Sequence, residues 1–250
     1  MSFWDDILDK PMLIGAHRGA KSLRAENTLG AFEDAIGRSD FIELDVGFSK
    51  DGVAIVIHDD TLNRTSNIQS IKKSSEEFRV VDFTYDELLE LDFGSWFKSG
   101  DLQKIPTLKE VLLLIKKHKF PINIELKDMS KTPFDEVAPK KVLNEVLEVG
   151  VEDLVLFSSF NHNYIKELSK LSPKIKRAIL KDKSHPKNII SYMKECSAHG
   201  YHCSLDIVSK ELVLQLQKEN YFVSVYTVNH AADKEKVLKM GVNAIFTDFL

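Results

Sequence analysis

From Thr107 onward, short apolar runs alternate with amphipathic stretches, and that rhythm leaves few folds open to the chain. The runs are Ile122–Leu126, Leu154–Phe157, Ile175–Leu180, Tyr201–Leu205, Phe222–Val228 and Ala244–Phe246. Each has the length and β-rich character of a strand buried on both faces. Helical patterns fall between them, near 107–118, 135–148, 161–171, 187–198, 208–219 and 231–240. Repeated strand-then-helix units predict a parallel sheet with right-handed crossovers. Two earlier runs, starting at Met12 and Phe41, raise the strand count to eight. Eight is the number that closes a (β/α)8 TIM barrel. The last run leaves too little chain for an eighth helix. Residues 2–9, with Phe3, Trp4, Ile7 and Leu8 on one helical face, are expected to cover part of that gap.

No linker divides the 250 residues, so a single domain spanning 1–250 is expected. Residues from about 59 to 104 break the rhythm. They are polar and carry only a weak helical signal near Tyr85 to Leu91, so they read as an insertion after the second barrel strand region. The net charge of -4 argues against a broad nucleic-acid-binding surface, so an anionic substrate would have to be held locally. The N-terminal stretch is too acidic for a signal peptide, and no later run approaches the length of a membrane span. A cytoplasmic location is the expectation, with Cys196 and Cys203 reduced.

The polar chemistry is concentrated between Leu13 and Arg64. The first run delivers His17 to its C-terminal tip, followed by Arg18 and Gly19. The second is interrupted by Glu43 and Asp45, which lie two apart and therefore share one face of a strand. Paired carboxylates in a core repel unless a cation lies between them. With no thiolate or imidazole in that strand, one hard, oxygen-liganded divalent ion, Mg²⁺ or Ca²⁺, is favoured. A third run, Val53 to Ile57, follows the Asp51-Gly52 turn and ends at His58. Two histidines at two strand tips suit acid and base work near neutral pH. In the run from Ile122, Glu125 and Lys127 share a face by the same two-residue rule. A third carboxylate and a cation thereby come to the C-terminal mouth, where barrel enzymes keep their chemistry.

The chain resembles the glycerophosphodiester phosphodiesterase family in His17-Arg18-Gly19, Glu26-Asn27-Thr28, Glu43-Leu44-Asp45, Lys50-Asp51-Gly52, His58-Asp59 and Leu62-Asn63-Arg64-Thr65. The resemblance implies that Glu43, Asp45 and Glu125 ligate the metal and that His17 and His58 are the acid/base pair. It also implies that Arg18 and Lys127 lie near the phosphate. Ser158-Ser159-Phe160 and Tyr226-Thr227-Val228-Asn229 look like further family stretches, which makes Ser159 and Tyr226 candidates for the pocket lining. The implied reaction is metal-dependent hydrolysis of small-molecule glycerophosphodiesters to sn-glycerol 3-phosphate and an alcohol. The inserted segment of the family lies over the active site.

Alternatives stand beside this reading. Arg18 and Lys127 also make sense as simple charge balance for the carboxylates. Cys196, His199, His202 and Cys203 form a tempting zinc group, but their spacing fits no common finger, and His202 and Cys203 point to opposite faces of a strand. A lysophospholipase D-like enzyme would need an apolar groove for an acyl chain. An inactive glycerophosphodiester-binding barrel is disfavoured by the presence of both histidines and all three carboxylates. Tyr226 stands where the family commonly has Trp, Phe249-Leu250 replaces an aromatic-Pro pair, and Thr-Asn-Gly is missing after Thr65.

Overall fold

The computed structural model describes residues 2–250. Its strands are β1 (Leu13–Ala16), β2 (Phe41–Phe48), β3 (Ala54–Val56), β4 (Ile122–Leu126), β5 (Val155–Ser159), β6 (Lys176–Lys181), β7 (Gly200–Ser204), β8 (Phe222–Tyr226) and β9 (Ala244–Thr247). The helices are α1 (Leu29–Ala35), α2 (Ile68–Lys72), α3 (Tyr85–Leu89), α4 (Leu108–His118), α5 (Ala138–Val149), α6 (His162–Leu171), α7 (Ile189–Cys196), α8 (Lys210–Lys218) and α9 (Ala231–Met240). Every strand pairing is parallel except that between β2 and β3. β1 closes the ring by pairing with both β9 and β2. The fold is the (β/α)8 barrel that the alternation predicts, and among the described residues no helix follows β9.

Local chemistry explains the elements. Thr107 and Glu110 form a reciprocal capping box at the start of α4, whose Leu108, Val111, Leu112 and Ile115 make one buried stripe. The left-handed Lys119 ends it. Every residue of β2 is buried, because α-helices cover its outer face and the barrel interior its inner one. No helix is long and apolar enough to cross a membrane.

The N-terminal ends of the strands are plugged. Trp4 and Ile7 pack with Phe41, Leu156, Ala178, Phe222 and Phe246 in one buried cluster. Trp4 meets Phe41 edge-on at 5.1 Å and donates its indole N–H to the Leu154 carbonyl at 2.9 Å. At Gly15 a Cβ would fall 2.3 Å from the Phe41 ring, so only glycine lets the ring fill this layer. Residues 3–9 form turns, not the expected helix. Their apolar side chains are drawn under the barrel, where they bury more surface than a single exposed helical turn could.

The third apolar run does not join the ring. β3 pairs antiparallel with β2, Val46 opposite Val56 and Phe48 opposite Ala54. The Ser49–Val53 turn carries Gly52 at φ +79°. The hairpin therefore rises beyond the mouth on β2 and descends on β3, bringing His58 back to the carboxylates. The Ile57 amide donates to the Asp45 carbonyl at 3.0 Å. Ile55 and Ile57 form a satellite core with Leu62, Ile68, Val80, Leu88, Leu91, Phe93 and Ile105, so the segment 59–104 is a packed body resting on this hairpin.

Candidate active site

Parallel register sets the acidic cluster. Glu43 lies opposite Asn123 and Asp45 opposite Glu125. One oxygen from each of Glu43, Asp45 and Glu125 lies within 4.8 Å of the others. Glu43 and Asp45 are 3% and 1% exposed, too deep for water to screen their repulsion. Two cations answer it. The Lys127 ammonium is 2.9 Å from Glu125 and 3.4 Å from Asp45, and the Arg18 guanidinium is 3.4 Å from Asp45. Asn27 adds an amide donor to Asp45 at 2.9 Å, and the backbone N–H of Arg18 donates to Glu43 at 2.8 Å. Arg18 and Asn27 both adopt left-handed backbone, at φ +59° and +56°, a local strain tolerated where a loop must turn polar groups inward.

The three carboxyls respond differently. Burial pushes the Glu43 carboxyl well up, and the charges of Asp45 and Glu125 push it further. Glu125 is raised by burial and by Asp45, against the pull of Lys127. Burial also acts on Asp45, but Lys127, Arg18 and His58 outweigh it and hold the group below the usual carboxylate range. The Lys127 ammonium loses solvation yet is raised by Asp45 and Glu125. An oxygen-only cluster in which two members resist ionisation suits a further cation.

The two histidines are held alike. Nδ1 of His17 lies 2.7 Å from Asp248 and Nδ1 of His58 lies 2.6 Å from Asp59. A carboxylate on Nδ1 selects the tautomer with Nε2 free, and among the described residues neither Nε2 has a protein partner. Asp59 is held low by its bond to His58 and then by Arg64. Burial would raise Asp248, but His17, Asn229 and Lys21 hold it low.

Behind this layer, Glu26 receives Arg18 at 2.8 Å and both terminal nitrogens of Arg64 at 2.7 and 2.9 Å. Arg64 also reaches Asp59 at 2.6 Å, so the 59–104 segment is tied by charge to the first barrel loop. Burial raises the Glu26 carboxyl, but Arg64 and Arg18 bring it down to about 2. A depressed carboxylate stabilises the fold above its unfolded pKa, and that contribution is lost as pH falls through the folded value. Glu26→Gln is expected to cost on the order of 2 kcal/mol at neutral pH. The deficit should shrink between the ordinary value of 4.5 and about 2, as read by denaturant melts at stepped pH. A deficit that does not change with pH would contradict the charge network.

A cavity of about 280 Å³ opens onto His17, Arg18, Glu43, His58 and Glu125, and continues down to Asn123, His202 and Phe246. Tyr226 lines it as anticipated, edge-on to Phe160 at 6.1 Å. Ser159 does not. It is fully buried, and its hydroxyl donates to the Leu126 carbonyl at 2.7 Å. Alternation turns Ser158 inward instead, where it accepts from the Asn123 amide at 2.9 Å. A groove of about 420 Å³ adjoins at His58, Glu125 and Phe160, between the 59–104 segment and the loop after β4. Asp59, Asp248, Asn27 and Glu26 were missed as site residues. Asp59 was open to inference from its place beside His58, whereas Asp248 becomes a neighbour of His17 only when β9 pairs with β1. Cys196 and Cys203 are buried free thiols, and burial pushes Cys203 up to about 12, which leaves it inert.

The sequence profile described as the Glycerophosphoryl diester phosphodiesterase family matches residues 17–250. A glycerophosphodiester phosphodiesterase of Bacillus altitudinis is 39% identical over 243 residues, covering 94% of each chain. One from Caldanaerobacter subterraneus is 35% identical over 242 residues, covering 94% of this chain and 93% of its own. Among solved structures, an Oleispira antarctica phosphodiesterase in complex with the product sn-glycerol 3-phosphate superimposes with a TM-score of 0.86 at 27% identity, covering 97% of this chain and 95% of that one. The agreement runs from His17 to the last residue, and the chain belongs to the glycerophosphoryl diester phosphodiesterase family.

Proposed function

We propose that the protein hydrolyses glycerophosphodiesters to sn-glycerol 3-phosphate and an alcohol, using one Mg²⁺ or Ca²⁺ ion held by Glu43, Asp45 and Glu125. The observation that carries the reading is the pair of carboxylate-oriented histidines lining the same cavity as the three-carboxylate cluster. The relative from Oleispira antarctica, which holds sn-glycerol 3-phosphate, supports the choice of substrate. The cation, when bound, supplies polarisation of a phosphoryl oxygen and neutralises charge that grows in the transition state. Arg18 and Lys127 attract and orient the diester anion. One histidine takes the proton from the attacking oxygen through its free Nε2, and the other donates a proton to the departing alcohol. A cytoplasmic setting goes with this reading.

The departing alcohol would occupy the adjoining groove. Asp60, Arg79, Asp128 and Lys131 line it beside Phe48, Val80 and Met129, a mixture that favours a short polar alcohol over an acyl chain. The 59–104 segment thus acts in substrate choice. Arg79→Ala removes a cation from this wall and should raise kcat/KM for glycerophosphocholine over glycerophosphoglycerol about two- to fivefold, a partly screened charge effect. An unchanged ratio would take Arg79 out of substrate selection. The functional reading itself is tested by incubating metal-stripped and metal-restored protein with glycerophosphocholine and with a lysophospholipid. Release of sn-glycerol 3-phosphate from the first alone, and only with metal, is the expected result. Preference for the lysophospholipid, or no product from either, would overturn it.

A further inference from the structure

The floor of the catalytic cavity carries polar groups that the reaction chemistry does not use. His202 is fully buried on the inner face of β7, and neither of its ring nitrogens has a hydrogen-bond partner. Its neighbours are aromatic, with Phe246 at 5.1 Å and Phe222 at 5.9 Å between ring centroids. Asn123, 1% exposed on β4, donates its amide to Ser158 but leaves its carbonyl oxygen unpartnered. The Tyr226 hydroxyl is likewise buried and unpartnered. All three side chains line the one cavity that also reaches His17 and Glu43. Leaving a buried polar group unsatisfied costs about 1–3 kcal/mol, so three around one cavity point to a ligand that completes them.

We propose that His202, with the Asn123 carbonyl and the Tyr226 hydroxyl, receives the two free hydroxyls of the glycerol moiety and thereby sets the preference for glycerol over other alkyl phosphates. This rests on the functional reading above. A neutral imidazole offers one donor and one acceptor, the Asn123 carbonyl one acceptor, and the phenol both. A vicinal diol presents the complementary set. Burial brings the His202 imidazole down to about 3, so it stays neutral at working pH and acts as a hydrogen-bonding group with no part in proton transfer. His202 is therefore a specificity-determining residue beneath the catalytic layer.

The test measures binding of sn-glycerol 3-phosphate and n-propyl phosphate to the magnesium-loaded protein by calorimetry. The two ligands share the phosphate and the three-carbon chain and differ in the hydroxyls. The wild-type protein should prefer the first. His202→Leu should weaken it about tenfold, the loss of one hydrogen bond, while changing n-propyl phosphate less than about twofold. His202→Gln, which restores a donor and an acceptor, should recover part of the preference. The melting temperature of His202→Leu should match or exceed that of wild type, because an unpartnered imidazole is exchanged for an apolar side chain. Equal weakening of both ligands, a preference that survives in His202→Leu, or a leucine variant that fails to fold would each overturn the inference. A wild-type protein that binds both ligands equally well would do the same. Wild-type protein that binds neither ligand would instead sink the functional reading.

Discussion

Alanine at His17 or at His58 is expected to lower kcat by about 10² to 10⁴, the range for losing a positioned acid or base. Each ring is anchored on one side by a carboxylate and presents its other nitrogen to the cavity, so its removal deletes a proton-transfer group without opening the core. Melting temperatures should move little, since neither histidine belongs to a buried apolar cluster. Asp248→Asn should shift kcat in the same direction as His17→Ala. An asparagine that turns its amide N–H toward Nδ1 favours the tautomer with the ring proton on Nε2, and it no longer stabilises an imidazolium. Steady-state kinetics at saturating metal settle the matter, and near wild-type turnover in either alanine variant would remove that histidine from the mechanism.

Glu43→Ala and Asp45→Ala are expected to weaken divalent metal binding by at least about tenfold to a hundredfold, since each removes one of three anionic oxygen donors to a hard cation. The two differ in their side effects. Asp45 also faces Lys127, Arg18 and Asn27, so its loss leaves buried cations short of a partner, which costs about 3–5 kcal/mol. Glu43 carries the highest proton affinity of the cluster, because burial and both neighbouring carboxylates oppose its charge. Its removal relieves repulsion, and Glu43→Ala should lose metal with little loss of fold. Calorimetric titration with Mg²⁺ and Ca²⁺, paired with denaturant melts, separates these effects. Unchanged metal affinity in both variants would exclude these residues from the ligand shell.

Much of this arrangement was legible in the residues. Runs of apolar side chains located every barrel strand, because a strand buried on both faces has nowhere to put charge except at its tip. The two-residue rule then placed Glu43, Asp45, Glu125 and Lys127 together, as the register shows. Ser159 came from the family resemblance alone, and a run of two serines does not say which one begins the inward face, which is Ser158. His58 was identified, but its route was not. The Asp51-Gly52 turn joins β2 to an antiparallel partner, and the histidine arrives at the mouth from above on a descending strand. His202 and Cys203 were recognised as opposite-facing, yet in a barrel one of those faces is the interior of the site. Asp248 and the plug formed by Trp4 depend on contacts between distant parts of the chain, which no local pattern encodes.

The pairing of β1 with β9 has a consequence for synthesis of the protein. Residues 17 and 248 are 231 positions apart, and the Asp248 carboxylate reaches His17 only after the final strand has slotted in beside the first. A nascent chain still tethered to the ribosome can fold the β2–β3 hairpin and assemble Glu43, Asp45 and Glu125. It cannot orient His17 until β9 has been made and has paired with β1. Ring closure is a contact of very long sequence separation, and such contacts form late. Orientation of His17 is therefore among the last events of folding, and loss of a few residues from β9 would leave the acidic cluster in place while removing the carboxylate that orients His17.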